Sequence, residues 1–104
     1  MESSMVTNSS SESYNELVKE FFRRNLPTFQ VIKESTHGPF WHISLLVNDD
    51  VKIVIEGDVG FYVVVEIEGE KLDLWKYDKS INDHGKTTRE NILYQLQVLK
   101  KFLS

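Results

Sequence analysis

The residues that could hold a metal ion are two histidines and two aspartates in the first half of the chain. His37 and His42 precede Asp49 and Asp50 by a few positions, and imidazole nitrogens and carboxylate oxygens are ligands that transition metals accept. No H-x₃-H or HExxH spacing brings both histidines onto one element, because His37 falls in a predicted turn and His42 on a predicted strand. The pattern favours two surface histidines, and we expect neither a metal nor another cofactor.

A second group with acid–base potential lies in a polar stretch before the last helix. Asp78, Asp83 and His84, followed by Gly85, could supply a general acid and a general base. The same composition is typical of a solvated connector, and the stretch lacks the ligand pattern of a calcium-binding loop. A small enzyme with an acid–base site in the Asp78–Gly85 loop is therefore an alternative hypothesis for the function.

The serines and glycines do not match the motifs of a nucleophile or of a phosphate site. Ser35, Ser44 and Ser80 lack the G-x-S-x-G context of a nucleophile elbow. Gly57 and Gly60 join two predicted strands, so no helix N-terminus would face a phosphate between them. We interpret these residues as structural and expect a protein that is not an enzyme.

Aromatic residues in the second half of the chain are the most informative feature. The pattern predicts a fifth strand in which Leu72 and Leu74 face the core, and alternation then sends Trp75 and Tyr77 to the opposite face. Large aromatic side chains on an open sheet face are favoured anchors of protein interfaces. The predicted protein-binding residues are these aromatics and the carboxylates expected around them: Tyr62, Glu66, Glu68, Asp73, Trp75 and Tyr77.

Charge limits the partners that such a face could bind. The chain has 12 Lys and Arg against 16 Asp and Glu, a net charge of −4. Carboxylates around the aromatic residues would repel phosphate, so nucleic acid is not expected as a ligand, whereas a basic protein is an electrostatically favourable partner. Two other interpretations stay open: the aromatics pack against a loop or the N-terminal segment, or the face forms a homodimer.

Two helices and five strands would position these residues. Ser13 with Glu16, and Thr87 with Glu90, match the capping box that begins a helix, and apolar residues at period two lie between the helices. Every connection between the strands is too short for a crossover helix, which predicts antiparallel neighbours. The predicted fold class is α+β: an N-terminal helix, a five-stranded antiparallel meander sheet and a C-terminal helix, with the helices packed on one sheet face. The predicted core includes Phe21, Ile43, Val63, Val65, Leu96 and Leu99.

Composition predicts one folded domain after a polar leader. Residues 1–12 are rich in Ser and are predicted to be disordered, and residues 13–104 are predicted to form the single α+β domain. The chain has no Cys, and its longest apolar run, Phe61–Val65, is far shorter than a membrane span. We therefore expect a cytoplasmic protein that has no membrane partner.

In size, charge and order of elements the chain resembles small bacterial immunity or inhibitor proteins, the cytoplasmic partners that neutralise toxins. The stretches that carry this resemblance are Phe61–Trp75 and Thr87–Leu96, and neither contains a diagnostic motif. The resemblance implies a protein-binding function and assigns no functional residue. The chain is also similar in size and acidity to secretion chaperones of the type III kind, but the short Gly57–Gly60 turn leaves no room for the helix that those proteins place within the sheet.

Overall fold

The first helix, α1, follows directly after a capping serine. The structure, a computed structural model, describes residues 13–104, and the predicted disorder of residues 1–12 lies outside that range. Helix α1 spans Tyr14–Asn25. The hydroxyl oxygen of Ser13 accepts a hydrogen bond of 3.2 Å from the backbone N–H of Glu16, which satisfies one of the free amides of the first turn, as the capping pattern predicts.

Five antiparallel strands follow in a meander, which confirms the predicted topology. Strands adjacent in sequence are adjacent in the sheet, because turns of two or three residues return the chain directly to its neighbour. In the turn between the last two strands Gly69 has φ 87°, a conformation that glycine adopts without steric cost. The strands are β1 (Gln30–His37), β2 (Phe40–Asn48), β3 (Val51–Gly57), β4 (Phe61–Ile67) and β5 (Glu70–Asp73).

The fifth strand is shorter than the alternation predicts. Strand β5 ends at Asp73, and the next four residues form a single helical turn, α2 (Leu74–Tyr77). A short apolar run does not by itself distinguish a strand from a helix, and β5 has β4 as its one neighbour in the sheet. The turn still buries Leu74 completely in the core. The prediction that Trp75 and Tyr77 alternate along a strand is therefore wrong.

The chain closes with a 3-10 helix at Lys79–His84 and a long helix, α3 (Arg89–Leu103). The N-cap of α3 is Thr88, whose hydroxyl accepts from the N–H of Asn91 at 3.1 Å. The helix begins near Thr87 as predicted, but Thr88 and not Thr87 is the N-cap, and the N–H of Thr87 binds the carbonyl of Val59 at 2.8 Å. Among the described residues, no helix is both long enough and apolar enough to cross a membrane.

Helices α1 and α3 pack on one face of the sheet and bury it, as predicted. All six predicted core residues are buried. Trp41 joins the layers, because its ring lies 5.5 Å from that of Tyr14 and 5.9 Å from that of Phe61. No helix in residues 13–104 buries the opposite face, on which Phe40 and Tyr62 are exposed. We call this the open face; its side chains include Phe40, His42, Ser44, Val54, Glu56, Tyr62, Val64 and Glu66.

Truncation of Leu96 in α3 tests this packing. Leu96 is only 1% exposed, so Leu96→Ala removes buried methyl groups and leaves a cavity, which should cost about 2–5 kcal/mol of unfolding free energy in urea titrations. The exposed neighbour gives a matched control, because Gln97→Ala should change the same quantity by less than about 0.5 kcal/mol. A loss below about 1 kcal/mol for Leu96→Ala would show that the packed face of α3 is assigned incorrectly.

Candidate functional site on the open face of the sheet

Four hydrogen-bonded side chains cross the open face from β2 to β4. His42 contacts the hydroxyl of Ser44 through Nε2 at 2.7 Å and the carboxylate of Glu56 through Nδ1 at 3.0 Å. Glu56 also accepts a hydrogen bond of 2.9 Å from the hydroxyl of Tyr62. Strand register explains the arrangement, because His42 lies opposite Glu56 and Glu56 lies opposite Tyr62, and directly opposed residues share a face.

The carboxylate of Glu56 is the charged centre of this network. Hydrogen bonds from His42 and Tyr62 lower the pKa of Glu56 below its ordinary value of 4.5, although burial acts in the opposite direction. The hydrogen bond between Tyr62 and Glu56 also raises the pKa of the Tyr62 hydroxyl, and the charges of Asp58 and Asp73 add to this effect. Tyr62 therefore lies within the field of three carboxylates and is held in its uncharged, donating form.

The contacts of Ser44, His42 and Glu56 follow the order of a nucleophile, a base and an orienting acid. Acyl transfer also needs an accessible hydroxyl and N–H groups that stabilise the oxyanion. Ser44 is only 4% exposed, and β2 is paired on both sides, so its backbone N–H groups are used in the ladders with β1 and β3. The geometry thus supports a positioning role, in which Ser44 and His42 orient the carboxylate of Glu56.

A cleft of about 380 Å³ lies beside this network. It runs between the end of the β1–β2 hairpin and the turn that joins β3 to β4, and Phe40, Asp58 and Tyr62 are among the residues that line it together with His42 and Glu56. The rings of Phe40 and Tyr62 are both more than half exposed. Two carboxylates line the cleft, and none of its lining residues in the described part of the chain is Lys or Arg, although the charge of Lys33 also acts on Glu56.

Three of the six predicted protein-binding residues lie on the open face. Tyr62 belongs to the cleft, and Asp73 lies opposite Val64 at the edge of the sheet. Glu66 is farther along β4, opposite Lys52 on one side and Lys71 on the other. The end of the face that contains Glu66 therefore carries mixed charge, and the acidic end is the one around Tyr62.

The other three predicted binding residues lie elsewhere. Glu68 is in the turn between β4 and β5, with a φ of 51°. Trp75 is 38% exposed and shares the lining of a small cavity of about 110 Å³ with Tyr62. Tyr77 packs edge to face on Phe102 of α3, with ring centroids 4.8 Å apart. The structure thus places Trp75 near Tyr62, in a cavity that buried Phe61, Val63 and Ile81 also line, and directs Tyr77 towards the helices.

The groups considered for metal binding are far apart. His37 is the last residue of β1, not part of a turn as predicted, and His42 lies near the start of β2, whereas Asp49 and Asp50 form the turn at the other end of β2. Across residues 13–104 there is no group of three or more His, Cys, Asp or Glu side chains that could hold a metal ion. Most of the nine-residue strand β2 lies between the two histidines and the two aspartates, which keeps them apart.

The side chains of the Asp78–Gly85 loop bind groups of their own segment and of α3. The ring of His84 stacks on that of Tyr94 with centroids 3.7 Å apart, and its Nδ1 contacts the carbonyl of Ser80 at 3.1 Å. Asp78 accepts hydrogen bonds from the hydroxyl and the N–H of Ser80, which lower the pKa of its carboxyl group. These contacts favour a structural connector over an acid–base pair.

Sequence reasoning missed the role of His42 with Glu56 and the contribution of Phe40 and Asp58. A signal for the first pair was present in the alternation of the two strands, although the turn after β2 does not give it, because the register shifts between Leu46 and Asn48. Once Leu45 lies opposite Ile53, counting along both strands places His42 opposite Glu56. No such count exists for Phe40 and Asp58, which come together through two different turns at one end of the sheet.

The fold and this site define an α+β domain with an open sheet face and an anionic, aromatic cleft. Comparisons of the chain with protein-family models, with curated proteins and with solved structures found no match. The resemblance to immunity and inhibitor proteins therefore stays a hypothesis, and any function must be argued from the open face itself.

Replacement of Glu56 by glutamine tests the hydrogen-bonded network. Because the folded-state pKa of Glu56 lies below 4.5, its carboxylate stabilises the folded protein above that pH, and this contribution is lost as the pH falls through the lower folded pKa. We expect Glu56→Gln to lower the unfolding free energy near neutral pH and to have a diminishing effect below pH 4.5. The effect should be modest, since the side chain is 42% exposed and screened by water.

Urea unfolding at about pH 7 and about pH 3 measures this difference. Glu70→Gln is the matched control, because it removes the same charge from an exposed position at the far end of β5. A Glu56→Gln effect that is equal at both pH values would contradict the network as the cause.

Proposed function

We propose that this protein is a non-enzymatic binding domain that neutralises a basic protein partner, in the manner of an immunity or inhibitor protein. Its contact surface would be the acidic end of the open face. This surface, which we call the Tyr62 surface, consists of Phe40, Glu56, Asp58, Tyr62, Asp73 and Trp75. The supporting observation is that exposed aromatic rings and carboxylates lie together there.

The aromatic part of the Tyr62 surface has the properties of an interface anchor. Phe40 on β2 and Tyr62 on β4 are exposed on either side of β3, and Trp75 lies near Tyr62 on α2. Half-buried Val54 and Val64 extend the apolar area across the middle of the open face. Rigid aromatic side chains bury much area at low entropic cost, and such residues dominate binding energy in many interfaces.

The charged part of the surface favours a partner rich in lysine and arginine. Glu56, Asp58 and Asp73 all act on the Tyr62 hydroxyl, so their fields overlap at one place. A basic partner would be steered towards this end of the sheet, whereas a phosphate backbone would be repelled. Together with the absence of Cys, this supports a cytoplasmic location for the encounter.

Capture of the partner from the native host tests the proposed function. We expect affinity capture with mass spectrometry to recover a basic protein with the native chain and with Gln97→Ala, an exposed change on α3. Trp75→Ala should weaken that interaction by about 2 kcal/mol or more while the melting temperature stays nearly unchanged, because the ring is an anchor and not a core residue.

Three outcomes would contradict this expectation. Trp75→Ala could lower the melting temperature sharply and leave the affinity of the remaining folded protein unchanged, which would mean that the ring only packs against its own domain. Capture of an acidic protein would remove the electrostatic argument. Recovery of a second copy of this chain alone would favour a homodimer.

Charge reversal at Asp73 tests the electrostatic part of the proposed function. Asp73→Lys should slow association with the captured partner and reduce the dependence of the association rate on salt, while the dissociation rate changes little. Glu70→Lys is the control, because Glu70 is on the same strand as Asp73. It lies opposite Ile67 of β4, away from the Tyr62 surface. Equal effects of the two reversals on the association rate would show that net charge, and not this surface, steers the partner.

A further inference from the structure

Within the Tyr62 surface, the cleft holds one carboxylate in a defined orientation. His42 binds one oxygen of Glu56 and the Tyr62 hydroxyl binds the other. A carboxylate offers about four acceptor positions, so each oxygen keeps one that the network does not use. Glu56 can therefore accept two further hydrogen bonds without breaking those that orient it.

The rest of the cleft adds a second negative charge and two aromatic rings. Asp58 is exposed and lines the cleft, and its Oδ1 has a long contact of 3.4 Å with the N–H of Gly60. Phe40 and Tyr62 offer exposed ring surface beside these carboxylates. Carboxylates next to aromatic faces are the environment in which proteins bind organic cations.

The wall that carries Asp58 is fixed to the rest of the domain. The N–H of Phe61 binds the carbonyl of Gly85 at 2.9 Å, and the N–H of Thr87 binds the carbonyl of Val59 at 2.8 Å. Gly60 also pairs with Lys86. The turn between β3 and β4 is thus held by the segment before α3, which limits the reorganisation needed when a ligand enters.

We propose that this cleft receives the guanidinium group of an arginine side chain of the partner. The inference rests on the proposed function, since it names the partner group that the Tyr62 surface would bind. The guanidinium plane would donate two hydrogen bonds to Glu56, place its second edge near Asp58 and stack against the ring of Phe40 or Tyr62. A planar fork matches a carboxylate in this way and tolerates partial desolvation.

Lysine fits the same cleft less well. An ammonium group is a compact, strongly hydrated charge that makes no stacking contact. It would be attracted by the charges of Glu56 and Asp58, but it could not form the paired hydrogen bonds of a planar guanidinium group. Citrulline has nearly the shape of arginine and no charge, so it separates shape from electrostatics. These three side chains therefore form a graded set of probes.

The experiment is a titration of the isotope-labelled protein followed by NMR at about pH 8, above the range in which an ordinary imidazole is charged. The probes are the N-acetyl N-methylamide derivatives of arginine, lysine and citrulline. We expect saturable shifts for the arginine probe at the amides of Gly57, Gly60 and Tyr62, at least five-fold weaker binding of the lysine probe, and no saturation with citrulline. Gly57, Gly60 and Tyr62 all line the cleft.

Two variants and a control connect these shifts to the site. Glu56→Gln and Asp58→Asn should each weaken the arginine probe at least five-fold, and Glu70→Gln should leave it unchanged, because Glu70 is not a lining residue of the cleft. Spectra of each variant without probe show whether its fold is retained. If Glu56→Gln disturbs the fold, the exposed Asp58 provides the same test.

The outcomes separate this inference from the proposed function. Citrulline binding as strong as arginine binding, shifts outside the cleft, or no saturable shifts would overturn the arginine site even if a basic partner is captured through Trp75. Specific arginine binding without any captured protein would keep the site and count against the binding-domain function. Binding of free arginine that is much tighter than binding of its blocked derivative would assign the site to a free amino acid, which also overturns it.

Discussion

Burial of the sheet on one side only is the constraint on which the rest of this structure depends. Two helices cover the face that contains Ile43, Ile53 and Val65, and these side chains are completely removed from water. Residues 13–104 contain two long helices, α1 and α3, and both lie on the same face of the sheet. Across the described residues the open face must therefore be stable against water without a second layer, and its composition reflects that demand.

The open face meets this demand with a mixture of valines and paired polar groups. Ser44 is nearly buried in the middle of the sheet, where a lone hydroxyl would be costly, and His42 satisfies it. His42 in turn contacts Glu56, and Glu56 accepts a hydrogen bond from the hydroxyl of Tyr62, where the network ends. The same contacts that satisfy the buried hydroxyl of Ser44 thus orient the carboxylate of Glu56 near the end of the central strand, β3, where a partner could reach it.

Contacts between segments distant in the sequence shape the cleft at this end of the sheet. The segment before α3 binds the turn between β3 and β4 through backbone hydrogen bonds, and Gln95 of α3 supports that segment by donating to the carbonyl of His84 at 2.8 Å. The Asp78–Gly85 loop also reaches this wall of the cleft, because the carbonyl of Gly85 accepts the hydrogen bond from the N–H of Phe61. Its histidine and aspartate stabilise the connection, which gives their presence a structural reason.

The sequence by itself determined the order of elements, the antiparallel meander and the identity of the buried face. Those properties follow from local periodicity, capping residues and short turns, which act within a few positions of the chain. Tertiary structure decided where β5 stops and where Trp75 and Tyr77 point: the chain leaves the strand after Asp73, and the helical turn packs Tyr77 on Phe102 while it still buries Leu74. It also decided the candidate site: His42, Glu56 and Tyr62 come from three strands, Phe40 is the first residue of β2, and Asp58 lies in the turn between β3 and β4. Side chains meet across strands only when register, twist and packing act together, and no local pattern contains that information.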